Sequence, residues 1–61
     1  MPEHLSAPAK QLLTLLSAGA LYVDEAADRL RLPAQDILRA FTELELYGLV
    51  RPESGRRYTL L

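Results

Sequence analysis

The chain has 61 residues, of which 49% are apolar, and its formal net charge at pH 7 is −1. This length allows one domain with one core, and the apolar share is too high for a disordered chain. The absence of cysteine excludes disulfide bonds and thiolate metal sites, and a free-standing nucleic-acid-binding module would normally be basic.

Residues 1–7 show no hydrophobic period, and we interpret them as a tail or linker remnant before a domain over residues 8–61. Ser6 can cap a helix, and Pro8 then falls in the first turn, where its missing N–H costs nothing. Helix one is predicted over residues 9–17. Its broad apolar face has helical spacing and consists of Leu12, Leu13, Leu15 and Leu16.

Helix two is predicted to follow a short extended stretch at residues 21–22. Glu25 precedes Arg29 by four residues, which is the favourable order for an ion pair on a helix. The apolar positions have the i, i+3, i+4, i+7 spacing of one buried helix face. They are Val23, Ala26, Ala27 and Leu30.

Helix three is predicted over residues 34–47, after a break at Leu32 and Pro33, and Gly48 is expected to end it. Two helices joined by three or four residues have the spacing of a helix-turn-helix. The predicted core face of helix three consists of Ala34, Ile37, Leu38, Phe41 and Leu44.

A β-hairpin is predicted to close the fold. Residues 49–51 form one strand, residues 52–55 have the composition of a turn, and residues 56–61 form the return strand. Tyr58 and Leu60 share one strand face, which we expect to cover the core. The predicted fold class is mainly α with a small β-hairpin, a winged helix-turn-helix of three helices and a wing.

Three stretches of the sequence together resemble one protein family. The sequence reads LYVDEAA at residues 21–27, and Leu32-Pro33 is followed by Ile37-Leu38. It reads TELELYGLV at residues 42–50, which lead to GRRY at 55–58. The combination resembles the C-terminal winged-helix domain of DNA-processing protein A (DprA), and the resemblance covers about residues 8–61.

The resemblance implies a function. Proteins of this family bind single-stranded DNA taken up during natural transformation and help to load the RecA recombinase, through a Rossmann-like domain that this chain lacks. Their small C-terminal domain is an accessory, implicated in self-association or in contact with duplex DNA. The resemblance therefore implies an excised, non-catalytic domain of a cytoplasmic protein.

Two positions depart from the family pattern. Tyr22 stands where a threonine often caps helix two, so we expect a weaker or shifted helix start. Arg31 stands where glycine often occupies the turn before Leu32. Arginine would be strained in a left-handed conformation, and we therefore expect this turn to differ slightly.

The outward face of helix three is predicted to be acidic. Residues 34–47 hold one basic and three acidic side chains, whereas affinity for DNA depends on neutralising phosphates. Leu46 on this face suits a protein contact, although the hairpin or Tyr47 could instead cover it. The predicted outer stripe is Gln35, Arg39, Thr42 and Leu46, and the candidate protein-contact residues are Arg39, Thr42, Leu46 and Tyr47.

The predicted hairpin is basic. Arg51, Arg56 and Arg57 stand against a single acidic residue, Glu53. Such a wing can contact a phosphate backbone or a minor groove, and these three arginines are the candidate nucleic-acid contacts. The alternative is a solvated hairpin in which Arg51 or Arg57 pairs with Glu45, which lies near the core face and needs a partner.

No catalytic, metal or cofactor site is predicted. His4 is the only histidine and lies in the predicted tail, so the sequence does not supply the residues for a Ser-His pair or a histidine metal site. Neither a membrane span nor a signal peptide is indicated. The open functions are self-association or docking to the rest of a longer DprA-like chain, a weak DNA contact, and a small winged-helix transcription regulator.

Overall fold

The computed structural model describes residues 4–61, so residues 1–3 of the predicted tail lie outside it. Three antiparallel strands form one sheet in the order β1-β3-β2. The predicted winged helix is confirmed, and the extended stretch at residues 21–22 adds a third strand to the predicted hairpin. The elements are α1 (Ala7–Leu16), β1 (Leu21–Tyr22), α2 (Val23–Leu30), α3 (Ala34–Leu46), β2 (Val50–Glu53) and β3 (Arg57–Leu60).

Helix α1 begins two residues earlier than predicted. The Ser6 hydroxyl caps it as expected and accepts a hydrogen bond from the Ala9 N–H at 3.4 Å. Leu5, directly before the cap, is only 5% exposed and belongs to the core. Residues 5–7 therefore pack with the domain, although no periodicity in the sequence marks them.

The core lies between the three helices and one face of the sheet. Phe41 of α3 is fully buried and stacks on Tyr58 of β3, with ring centroids 4.1 Å apart and planes inclined by 6°. Ala26 and Ala40 are also buried, and their small side chains allow α2 and α3 to approach closely. The other large buried side chains include Leu12, Ile37, Leu44 and Val50.

Two predicted core positions are wrong. Ala34 is exposed because it lies in the first turn of α3, before that helix reaches the core. Leu60 shares a face with Tyr58 as predicted, but it is 40% exposed at the rim of the sheet. The spacing of apolar residues along one helix or strand shows which of its faces points to the core, but not which of its residues lie beyond the core.

Gly48 ends α3 through a Schellman motif. Its φ of 72° is left-handed, which glycine adopts without a steric penalty. The Gly48 N–H donates to the Glu45 carbonyl at 2.9 Å, and the Leu49 N–H donates to the Leu44 carbonyl at 3.0 Å. Leu49 packs against the core after this reversal. These contacts explain the LxxxGLV pattern of residues 44–50: glycine ends the helix, and the apolar residues on either side of it pack against the core.

Arg31 ends α2 in the left-handed conformation, which corrects the expectation of an altered turn. Its φ is 56° and its ψ is 44°. The Leu32 N–H donates to the Ala27 carbonyl at 3.2 Å, which is the same closing bond that follows Gly48. The chain therefore keeps the turn and places a residue with a Cβ in a conformation that favours glycine.

We expect Arg31→Gly to raise the free energy of unfolding by about 0.5–1 kcal/mol, because relief of the left-handed strain exceeds the entropy that glycine adds to the unfolded chain. Urea denaturation followed by far-UV circular dichroism measures the change. Gly48→Ala is the matched control, since it introduces the same strain at the end of α3 and should be destabilising. A loss of stability in Arg31→Gly would contradict the strain argument.

The hairpin turn lies further along the chain than predicted. Pro52 and Glu53 belong to β2, and residues 54–56 form the turn. Gly55 and Arg56 both have positive φ, at 79° and 61°. The Arg56 carbonyl accepts a hydrogen bond from the Val23 N–H at 3.1 Å, so the turn is fastened to the start of α2.

Candidate protein and nucleic-acid contact surfaces

The outer stripe of α3, formed by Gln35, Arg39, Thr42 and Leu46, faces solvent as predicted. Leu46 is 84% exposed, so neither the hairpin nor Tyr47 covers it. The Thr42 hydroxyl donates to the Leu38 carbonyl at 2.9 Å. Arg39 lines a shallow cavity of about 270 Å³ between the start of α1 and α3.

A second apolar surface continues from the end of the stripe. Tyr47 is half-exposed directly after Leu46, and Leu61 is also exposed. The Leu61 N–H donates to the Leu49 carbonyl at 3.1 Å, which brings Leu61 to the same end of the molecule. We call Leu46, Tyr47 and Leu61 the helix-end patch.

Glu43 beside the outer stripe holds the start of α1. Its Oε2 accepts the Ser6 backbone N–H, and its Oε1 accepts the Ser6 hydroxyl, both at 2.8 Å. A capping box places an acidic side chain in the first turn of the capped helix itself, but α1 has no acidic residue there. Glu43 supplies that carboxylate from another helix, which makes it a structural residue.

The predicted partner for Glu45 is wrong. Glu45 is exposed rather than near the core, and Arg51 and Arg57 pair with Glu53 instead. Glu45 therefore adds to the negative charge of the solvent-facing side of α3. Together with Asp36 it outnumbers Arg39, the one basic residue of this helix.

Three charged side chains gather on the solvent face of the sheet. Cα partners Arg51↔Thr59 and Glu53↔Arg57 place all four residues on that face. Arg57 Nε donates to Glu53 Oε1 at 3.0 Å, and Arg57 Nη2 lies 3.0 Å from the same oxygen. Arg51 Nη2 lies 3.6 Å from Glu53 Oε2. One carboxylate therefore faces two of the three candidate nucleic-acid contacts.

Arg56 differs from the other two arginines of the wing. It is exposed at the hairpin turn, and it takes part in none of the ion pairs formed by residues 4–61. Arg57, by contrast, also lies beside Tyr22, its partner on β1. The Arg57 guanidinium is 5.9 Å from the centroid of the Tyr22 ring, at the outer limit of a cation–π contact.

The free edge of β2 is blocked against strand pairing. The Leu61–Leu49 hydrogen bond sets the alternation of the ladder, so Val50 and Pro52 direct their backbone groups to the outer edge. Pro52 has no N–H to donate. Proline at such a position is a recognised protection of sheet edges, and a partner must therefore contact side chains instead.

Sequence reasoning missed Glu53 as the centre of the charged group and Ser6 as the partner of Glu43. The first could be found once the hairpin register is known, because Glu53 then lies opposite Arg57. The second has no local signal, since 37 positions separate the two residues. Among the described residues, no helix could span a membrane and no group of three candidate metal ligands occurs.

Comparison with known proteins gives one match. The family model described as the DprA winged helix domain matches residues 1–56 of the chain. Comparisons with curated proteins and with solved structures found no match.

Proposed function

Because the chain belongs to the DprA winged helix domain family, we propose that it is an accessory module of a longer DprA-like protein that handles incoming single-stranded DNA in natural transformation and loads RecA. Within that protein, the domain docks a protein surface, either a second copy or another part of the same chain. The single observation that carries this proposal is the 84% exposure of Leu46 on an acidic helix α3.

The chemistry of α3 supports docking to protein over the reading of bases. A helix that enters a major groove approaches phosphates on both sides, so unpaired acidic groups oppose its entry. Asp36 and Glu45 take part in none of the ion pairs found within residues 4–61, whereas Glu43 is engaged by Ser6. The apolar side chain of Leu46 has no favourable interaction with phosphates, whereas burial against an apolar partner would remove it from water.

A stable protein–protein interface needs more surface area than Leu46 alone can bury. A standard interface covers about 800 Å² on each partner, which is about a fifth of the 4020 Å² surface of the described residues. The helix-end patch is too small to supply this alone. The contact therefore includes Thr42 and Arg39, which lie one turn and two turns before Leu46 on the outer stripe.

We expect Leu46→Glu to weaken association at least about tenfold, since it removes apolar burial and adds a charge at the centre of the contact. Sedimentation of the chain over a concentration series at low and physiological salt measures the effect. Gln11→Glu adds the same charge at an exposed position of α1, outside the outer stripe and the helix-end patch, and should change little.

The outcomes separate the two partners. Monomers at every concentration would contradict self-association and leave docking to another part of a longer chain. Association with the same strength in Leu46→Glu and in the unmodified chain would contradict the helix-end patch as the contact.

A second candidate function is an auxiliary contact of the wing with a nucleic-acid backbone through Arg51, Arg56 and Arg57. The observation that favours it is the exposed position of Arg56 at the hairpin turn, outside the ion pairs of the described residues. This contact is expected to be weak and to fall steeply as salt rises. A transcription regulator would need base readout, which the acidic α3 disfavours.

A further inference from the structure

We infer that Glu53 restrains the wing, so that only one of its three arginines is available to a nucleic-acid backbone. This inference rests on the wing contact proposed above and names the residue that sets its strength. The partner is the phosphate backbone of a nucleic acid, which is contacted without base readout.

The geometry shows which part of each arginine is occupied. Arg57 directs both Nε and Nη2 to Glu53 Oε1, each at 3.0 Å. Nε and Nη2 form one of the guanidinium edges that can bind a phosphate through two hydrogen bonds. Arg51 directs Nη2 to the other carboxylate oxygen at 3.6 Å. A phosphate that approached either guanidinium would therefore compete with the Glu53 carboxylate and be repelled by its charge.

The restraint is part of the fold rather than a chance meeting of long side chains. Glu53 and Arg57 are Cα partners across the β2–β3 ladder, so the register brings them together. The Glu53 side chain is 27% exposed and that of Arg57 is 39% exposed. Partial burial reduces screening by salt, which makes this pair more persistent than one between fully exposed groups.

Arg56 remains as the available cation of the wing, since it takes part in none of the ion pairs within the part of the chain that the structure describes. Its carbonyl is fixed by the Val23 N–H at 3.1 Å, so the turn holds its backbone while its side chain faces solvent. The number of phosphates neutralised by the wing is therefore about one with Glu53 in place, and about three without its charge. Salt dependence reports this number directly, at a slope of about −0.9 per phosphate contact for duplex DNA.

The test is Glu53→Gln, which keeps the shape of the side chain and removes its charge. Fluorescence anisotropy with a labelled mixed-sequence duplex, at about 50 to 200 mM NaCl, gives log K against log salt. We expect a slope of about −1 for the unmodified chain and about −3 for Glu53→Gln. Circular dichroism confirms that both chains are folded.

Glu25→Gln is the matched control, because Glu25 also pairs with an arginine, Arg29 at 3.2 Å, but on α2. Equal steepening in Glu25→Gln would overturn the inference by showing a general charge effect. An unchanged slope in Glu53→Gln, with the unmodified chain binding, would overturn it while the wing contact stands. No binding by either chain at the lowest salt would overturn the wing contact itself.

Discussion

Phe41→Ala is expected to lower the free energy of unfolding by about 3–5 kcal/mol, the largest effect of any substitution considered for this domain. Phe41 is fully buried and stacks on Tyr58 at 4.1 Å between ring centroids. The substitution removes apolar burial, leaves a cavity and separates β3 from its main contact with α3. Each of these terms acts in the same direction.

The stability that Phe41→Ala is expected to remove is a large part of the domain's total free energy of unfolding. At about 0.05–0.15 kcal/mol per residue, a chain of this length has a free energy of unfolding of about 3–9 kcal/mol. Phe41→Ala would therefore unfold a considerable fraction of the molecules at 25 °C. A domain this small has no second core to compensate, because it buries only about 60% of its unfolded surface.

Urea denaturation followed by far-UV circular dichroism measures this loss. Leu46→Ala is the control, because it truncates an exposed apolar side chain of the same helix and should change stability by less than about 0.5 kcal/mol. Phe41→Leu should fall between them, since it keeps most of the apolar volume. Equal midpoints for Phe41→Ala and the unmodified chain would contradict the central place given to the Phe41–Tyr58 pair.

Much of the fold could be predicted because its signals are local. The apolar period of α3 identifies Ile37, Phe41 and Leu44 as core, and all three are buried. Gly48 after Leu44 signals the reversal that directs the chain through Leu49 into β2. Such contacts connect residues a few positions apart, where spacing alone determines which side chains meet.

The remaining features depend on contacts that spacing along the chain does not determine. Glu43 meets Ser6 only because α1 packs on α3, so the sequence suggested a solvent-facing acid beside the outer stripe. Arg51 and Arg57 do not pair with Glu45 for the related reason that the hairpin supplies its own acid, Glu53. The site residues could be assigned to surfaces, but their partners required the tertiary structure.

The acidic residues of the domain therefore have different roles, which net charge alone hides. Glu43 organises the start of α1, Glu53 engages two arginines of the wing, and Glu45 remains exposed on α3. We propose that the charge of Glu45 disfavours binding of DNA at α3, whereas the charge of Glu53 weakens binding of DNA at the wing. Both effects favour a protein partner at the outer stripe, where Leu46 offers apolar surface.

Glu43→Ala is expected to lower the free energy of unfolding by about 2 kcal/mol. It removes two hydrogen bonds of 2.8 Å to a carboxylate, each contributing about 1 kcal/mol after allowance for solvent screening. Glu45→Ala, two positions along the same helix, removes an exposed acid and should change stability by less than about 0.5 kcal/mol. Urea denaturation of both variants gives the comparison.

A double-mutant cycle with Ser6→Ala tests whether the lost stability belongs to the Ser6–Glu43 contact. The hydroxyl bond is lost in either single variant, so the double variant should lose less than the sum, with a coupling energy of about 1 kcal/mol. Additive losses would show that Glu43 stabilises the domain by another route. The Glu43 side chain is bound to the start of α1, whereas the Leu46 side chain faces solvent. Glu43→Ala should therefore leave docking unchanged in the fraction of chains that stay folded, and Leu46→Glu should weaken docking without loss of stability.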